Sequence, residues 1–160
     1  MEKLIELYGD ELLRLCFLYL HDLQLAEDAV QETYIRIYKN YDKFLGKSAE
    51  KTWITRIAIN VCKDYLRSPW KQRVVYGGIK PGYDKETQAR ETELYDDTVI
   101  CAIGQLKPKY REVVLLFYYQ ELKTSEIAEI LGISVSAVTV RLTRAREQLK
   151  KKLEGWYLDE

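Results

Sequence analysis

The feature that most restricts the fold is an interruption in the middle of the chain. Residues 68–92 include Pro69, Gly77, Gly78, Pro81 and Gly82, and proline and glycine at such density stop any helix that runs into them. On either side apolar residues recur at steps of three and four, and no stretch sustains the period-two alternation of a strand. The expected fold class is all-α, with two small helical domains joined by a flexible linker and the C-terminal one a helix-turn-helix. Their extents are residues 1–68 and 93–160, with residues 69–92 between them. A connection of that length reaches about 80 Å when extended.

In the first domain Leu4, Leu7, Leu12, Leu15, Leu18 and Tyr19 form the inward stripe of a first helix. Ala26, Ala29, Val30, Tyr34, Ile37 and Tyr41 do the same for a second. Trp53, Ile54, Ile57, Ala58, Val61 and Tyr65 belong to a third, running from about residue 52 to 67, and this stripe places Trp53 in the core. Asp22 and Ser48 are expected to cap the second and third helices. Helical spacing resumes near Glu93 and runs to about Leu153, broken by Pro108, by Leu122, Lys123 and Thr124, and by Gly132.

Residues 124–149 have the grammar of a helix-turn-helix. Thr124 or Ser125 caps a short helix with Ile127, Ala128 and Leu131 inward, Gly132 makes the sharp turn, and Ile133 plugs the angle between helices. Ser134 caps the next helix, whose Val138, Leu142, Ala145 and Leu149 form one core-facing stripe. Its other faces carry Ser136, Thr139, Val140, Arg141, Thr143, Arg144 and Arg146, which suit a major groove and its phosphates.

The 25 basic and 25 acidic residues cancel, yet they are segregated. Net charge is −6 over residues 1–35, +7 over 36–73, −3 over 74–106, +5 over 107–153 and −3 over the last seven residues. Two basic blocks alternating with acidic ones fit two DNA-facing surfaces and an acidic surface for a protein partner. In the third helix Arg56, Asn60, Lys63, Asp64 and Arg67 share one polar face, where an asparagine among cations suits a base edge or an unstacked base. In the second helix Glu27, Asp28, Gln31 and Glu32 form an acidic patch that DNA would repel and a basic protein surface would attract.

Other classes fit less well. The lone His21 and the scattered Cys16, Cys62 and Cys101 match no metal-ligand spacing, so no metal or cofactor is expected and the cysteines are taken as reduced and buried. No glycine-rich phosphate loop or nucleophile-base pair suggests an enzyme. No run of about 18 apolar residues suggests membrane insertion, so a cytoplasmic location is expected. A free-standing helix-turn-helix regulator is the main alternative, but such proteins usually dimerise, and the sequence shows neither a heptad zipper nor a ligand-pocket cluster.

Three segments, in order, resemble the extracytoplasmic-function (ECF) RNA polymerase sigma factors of bacteria. LAEDAVQETYIRIY (residues 25–38) is similar to their polymerase-binding segment. KFLGKSAEKTWITRIAINVCKDYLR (43–67) is similar to their promoter-melting segment, and residues 106–149 resemble their second DNA-reading domain. The resemblance implies that Asp28, Gln31 and Glu32 dock on core RNA polymerase. Phe44, Asn60, Lys63, Asp64 and Arg67 would line the site for the flipped minus-ten base, with the loop over residues 42–51 closing on it. Ser136, Thr139, Val140, Arg141, Arg144 and Arg146 would hold the minus-thirty-five element of promoter DNA. It also implies an inhibitory anti-sigma factor, and no small-molecule substrate. The sequence departs from the family pattern at Leu45, at Glu50, where an aromatic is usual, and at Thr139 and Val140. Gly155, Trp156, Tyr157 and Leu158 are expected to pack back on the second domain.

Overall fold

The computed structural model describes residues 1–68 and 97–158, except the side chains of Asp97 and of residues 156–158. The linker expected at 69–92, the helix start near Glu93 and the packing of Trp156, Tyr157 and Leu158 lie outside the described residues. The described residues contain helices and no strand. They belong to two compact units, Met1–Glu93 and Leu94–Glu160.

The first unit is a three-helix assembly of α1 (Glu2–Leu20), α2 (Leu23–Asn40) and α3 (Glu50–Arg67), each packed on the other two. Leu15, Leu18, Tyr19, Ala26, Ala29, Ile37, Ile54, Ala58, Ile59 and Val61 are buried between them. Each large apolar side chain so buried stabilises the unit by about 1.5–3 kcal/mol before chain entropy is counted. The α1–α2 corner is tight because His21 adopts φ 53° and returns its N–H to the Phe17 carbonyl. Asp22 then caps α2 by accepting from the Leu25 N–H at 3.0 Å, as its position predicts. After α2 a short 3-10 turn, Tyr41–Lys43, leads into the loop before α3. In that loop Gly46 sits at φ 69°, a conformation that favours glycine.

Several expectations for this unit need correction. Leu7 and Tyr41, assigned to inward stripes, are 59% and 43% exposed; Tyr41 lies past the end of α2, in the turn that follows it. Ser48 does not cap α3: the cap position falls one residue later, at Ala49, with no side-chain hydrogen bond. Cys16 and Cys62 are buried as expected, whereas Cys101 is exposed. Burial and the hydrogen bond with Cys16 hold the Cys62 thiol well above its usual pKa, with the bond the larger cause.

The second unit contains α4 (Asp97–Gln105), α5 (Pro108–Val114), α6 (Thr124–Leu131) and α7 (Val135–Leu158). The long α7 packs against the other three. Pro108 opens α5 at a position where its missing N–H costs nothing. Arg111 ties α5 to the end of α4, donating to the Gly104 and Leu106 carbonyls at 2.7 and 3.1 Å. Beyond Val114 the helix widens into a π segment, Leu115–Tyr119, and the Gln120 N–H closes on the Leu115 carbonyl at 3.1 Å. Glu121 follows at φ 53°, so the helix break begins before Leu122, earlier than the sequence spacing suggests.

The helix-turn-helix forms from α6 and α7. Neither Thr124 nor Ser125 is the α6 cap; both lie within the first turn, and the cap position is Lys123. Its N–H is held by the Glu126 carboxylate at 2.8 Å. Gly132 adopts φ 66°, and the N–H groups of Gly132 and Ile133 both close on the Ala128 carbonyl. Ser134 caps α7 through the Ala137 N–H at 3.0 Å. Ile127 and Ala128 are buried together with Ile130, while Leu131, expected inward, is half-buried. On α7 the stripe of Val138, Leu142 and Ala145 is buried as predicted, and Leu149 is half-buried.

Candidate nucleic-acid interface

In the first unit two columns of side chains face a common hollow. Arg36, Asn40 and Lys43 recur at steps of four and three on α2 and the turn after it; Trp53, Ile57 and Asn60 do so on α3. Together they line a cavity of about 340 Å³, within the range of small-ligand pockets. It offers two cations, two amides, an indole and an aliphatic wall. That set can stack an unpaired base, bond its polar edge and neutralise its phosphate.

Trp53 is therefore not a core residue. It is half-buried and belongs to an aromatic cluster, its ring 4.9 Å from Phe44 and 6.0 Å from Tyr41. Glu50 anchors this cluster to the rest of the unit by accepting from the hydroxyls of Tyr41 at 3.0 Å and Tyr8 at 3.2 Å. The Tyr41 phenol is raised above its usual pKa by that hydrogen bond. For Tyr8 burial is the larger cause and the Glu50 charge adds to it. Where the family pattern has an aromatic, this chain has the carboxylate that fixes two.

Of the expected minus-ten residues, Asn60 lines the hollow and is exposed, and Phe44 reaches it through Trp53. Lys63 is half-buried, and Arg67 is exposed in the last turn of α3. Asp64 is engaged by Arg36, whose terminal nitrogen lies 3.0 Å from its Oδ2. The Arg36 Nε lies 3.1 Å from Glu32 Oε1. Desolvation works against the Arg36 charge, but the bonds to Asp64 and Glu32 outweigh it and raise its pKa. Asp28, Gln31 and Glu32, the expected docking residues, share one side of α2 at steps of three and one, with Asp28 and Gln31 exposed. Tyr65 of α3 lies beside them, its phenol raised first by burial and then by the Asp28 and Glu32 charges.

In the second unit Ser136, Thr139, Val140, Arg144 and Arg146 are exposed along α7, whereas Arg141 is half-buried. The three arginines are not equivalent. The Arg141 Nη1 lies 3.5 Å from Oε1 of Glu112, a carboxylate whose side chain is only 5% exposed. Arg144 hydrogen-bonds the Tyr110 hydroxyl, pulling that phenol below its usual pKa, and Lys109 acts in the same direction. Arg146 donates from Nε to the Tyr118 hydroxyl at 2.6 Å, with its guanidinium over the Phe117 and Tyr118 rings at 5.4 and 5.6 Å. Each arginine is thus placed by a residue of α5 or the π segment.

Sequence reasoning missed Arg36, Asn40 and Lys43 as a site. Their four-three spacing was visible, but not which α3 column they would face.

Comparisons with known proteins bear on the family and the fold. Residues 4–72 match the family model of sigma-70 region 2, and residues 96–149 match that of sigma-70 region 4. The ECF RNA polymerase sigma factor SigW of Bacillus subtilis (strain 168) is 33% identical, with 94% of this chain aligned to 87% of that protein. The RNA polymerase sigma factor YlaC of the same organism is 32% identical over 96% of this chain and 91% of its own length. Among solved structures, the sigma factor RpoE in complex with the anti-sigma factor NepR from Bartonella quintana has the same fold, with a TM-score of 0.76. Its identity is 21%, over 96% of both chains. CnrH in complex with the cytosolic domain of CnrY gives a TM-score of 0.72 at 23% identity, over 96% of this chain and 87% of that one. With two sigma-region matches in order and relatives above 30% identity along nearly its whole length, the chain belongs to the ECF RNA polymerase sigma factors.

Proposed function

We propose that this chain is an alternative sigma factor that binds core RNA polymerase, directs it to particular promoters and helps melt the DNA there, with no catalytic step of its own. The single observation that carries the reading is the hollow at Trp53 and Asn60, with cations, amides and a ring in reach of one unstacked base. Residues 1–68 serve polymerase binding and minus-ten capture, residues 93–160 serve minus-thirty-five recognition, and residues 69–92 connect them. Asp28, Gln31 and Glu32 dock on the polymerase. Phe44, Asn60, Lys63, Asp64 and Arg67 act at the melted element, joined by Arg36, Asn40, Lys43, Trp53 and Ile57. Ser136, Thr139 and Val140 face base edges, while Arg144 and Arg146 face phosphates. Arg141 serves the duplex face indirectly, by neutralising buried Glu112.

An anti-sigma factor is the proposed inhibitory partner, in keeping with the complex in which the RpoE likeness was solved. No described helix is long and apolar enough to cross a membrane, and the proposed place of action is that of the polymerase, the cytoplasm.

The test is reconstitution. Core polymerase plus the purified chain should initiate from specific promoters, whereas the isolated chain, with zero net charge, should bind duplex weakly. Asn60→Ala should leave the closed complex nearly intact and weaken melting by about 1–3 kcal/mol, the worth of one specific base contact. Permanganate reactivity near the start site reports melting, and a gel shift of the closed complex is the control. Tight sequence-specific binding without polymerase would favour a free-standing regulator.

A further inference from the structure

Arg36 touches both halves of the proposed machinery of the first unit. Its guanidinium lies 3.1 Å from Glu32, a proposed docking residue, and 3.0 Å from Asp64 on the DNA-facing side of α3. The same side chain lines the hollow with Asn60. The three side chains are 36%, 40% and 52% exposed, for Arg36, Glu32 and Asp64 respectively. The contacts are therefore strong enough to orient the fork yet open to a competing ion. Asn40 donates to the Arg36 carbonyl at 2.8 Å, which fixes the end of α2, so that a change of partner moves the side chain and not the helix.

We propose that Arg36 is a positioning residue that couples polymerase docking at Glu32 to base capture in the Asn60 hollow. The inference rests on the sigma-factor reading given above. In the free chain Glu32 and Asp64 share the Arg36 charge, and both carboxylates offset the cation that a nucleotide phosphate would meet. A basic polymerase surface that engages Glu32 competes for that carboxylate. Arg36 then keeps Asp64 alone, and more of its charge is directed into the hollow. Because linkage is reciprocal, an occupied hollow strengthens docking by the same factor.

The experiment is a double-mutant cycle on the free full-length chain. The probe is a fluorescein-labelled single-stranded oligonucleotide carrying the minus-ten element of a promoter that the reconstituted holoenzyme opens, read by anisotropy. Glu32→Gln removes the competing carboxylate and should raise probe affinity about three- to tenfold, within the range of coupling between contacting charged groups. In an Arg36→Gln background the same change should have almost no effect. An equal rise in both backgrounds overturns the proposal, since Glu32 would then act only as a remote negative charge. Circular dichroism checks folding. Should Arg36→Gln unfold, Arg36→Lys keeps the charge but lacks the planar fork, and the rise should shrink to about half or less; an undiminished rise overturns the proposal there too. Asn60→Ala separates the two levels of failure. If it weakens probe binding while the cycle is additive, only the coupling is wrong. If it has no effect on probe binding, the base-capture reading fails and the coupling falls with it.

Discussion

In the N-terminal unit six of the side chains proposed to meet DNA, exposed Asn60 and half-buried Trp53 among them, line a hollow. In the C-terminal unit they run along one helix, and three arginines there are held by Glu112, Tyr110 and Tyr118. The tyrosines show the contrast in electrostatics. Glu50 raises Tyr41, whereas Arg144 and Lys109 lower Tyr110. A base that has left the duplex needs an opening to enter, while a closed duplex presents a fixed array of phosphates and is met best by donors already oriented. The difference between the units follows the two states of DNA each is proposed to hold.

The largest expected effect that tests this contrast is on stability. Arg141→Ala leaves Glu112 buried without that partner and should destabilise the C-terminal unit by about 2 kcal/mol, read from thermal or urea unfolding. An unchanged unfolding curve, together with lost promoter binding, would mean that Arg141 works on DNA and is not part of the support. Next, Trp53→Leu should weaken open-complex formation by about 1–3 kcal/mol, the worth of one stacked base, with little change in unfolding. A destabilised fold and normal opening would return Trp53 to the core. A smaller effect is expected for Arg144→Ala, which should lower the salt-dependence slope of promoter binding by about one phosphate contact and leave the fold intact.

The smallest effect is spectroscopic. In an ultraviolet titration of phenol ionisation, Tyr110 should ionise before Tyr41, and Arg144→Gln should remove much of that lead. The linkage has opposite signs at the two sites. Tyr41 has its pKa raised on folding, so its contribution is present below the unfolded phenol pKa and lost as pH rises through the folded value. Tyr110 has a lowered pKa, so its contribution is present above the unfolded value and lost as pH falls through the folded one. Identical titration of the two tyrosines would erase the electrostatic half of the contrast.

What the sequence shows well is local. The Asp22 and Ser134 caps, the Gly132 turn and the Val138, Leu142 and Ala145 stripe depend on residues within one or two turns of each other, and all are present. What it hides is which helix faces meet. Trp53 fits an apolar stripe by spacing, yet its neighbours are Phe44 and Tyr41 from outside α3. Arg141 resembles any other arginine of a recognition helix until Glu112, 29 positions earlier, is brought beside it. The carboxylate at Glu50 reads as a departure from a pattern, and only packing shows the two hydroxyls it receives. Ser48 missed its capping role by a single residue, the usual scale of error for helix ends.

The π segment Leu115–Tyr119 bears on how such a chain can vary in length. A π turn holds one residue more than an α turn. The segment can therefore lose one residue by rewinding as α-helix, while α5 before it and the turn after it keep their places. What shifts is the direction of Phe117 and Tyr118, and with them the seat of Arg146. A single-residue deletion is thus a route by which descendants of this chain can re-aim one proposed phosphate contact without altering any letter of α7.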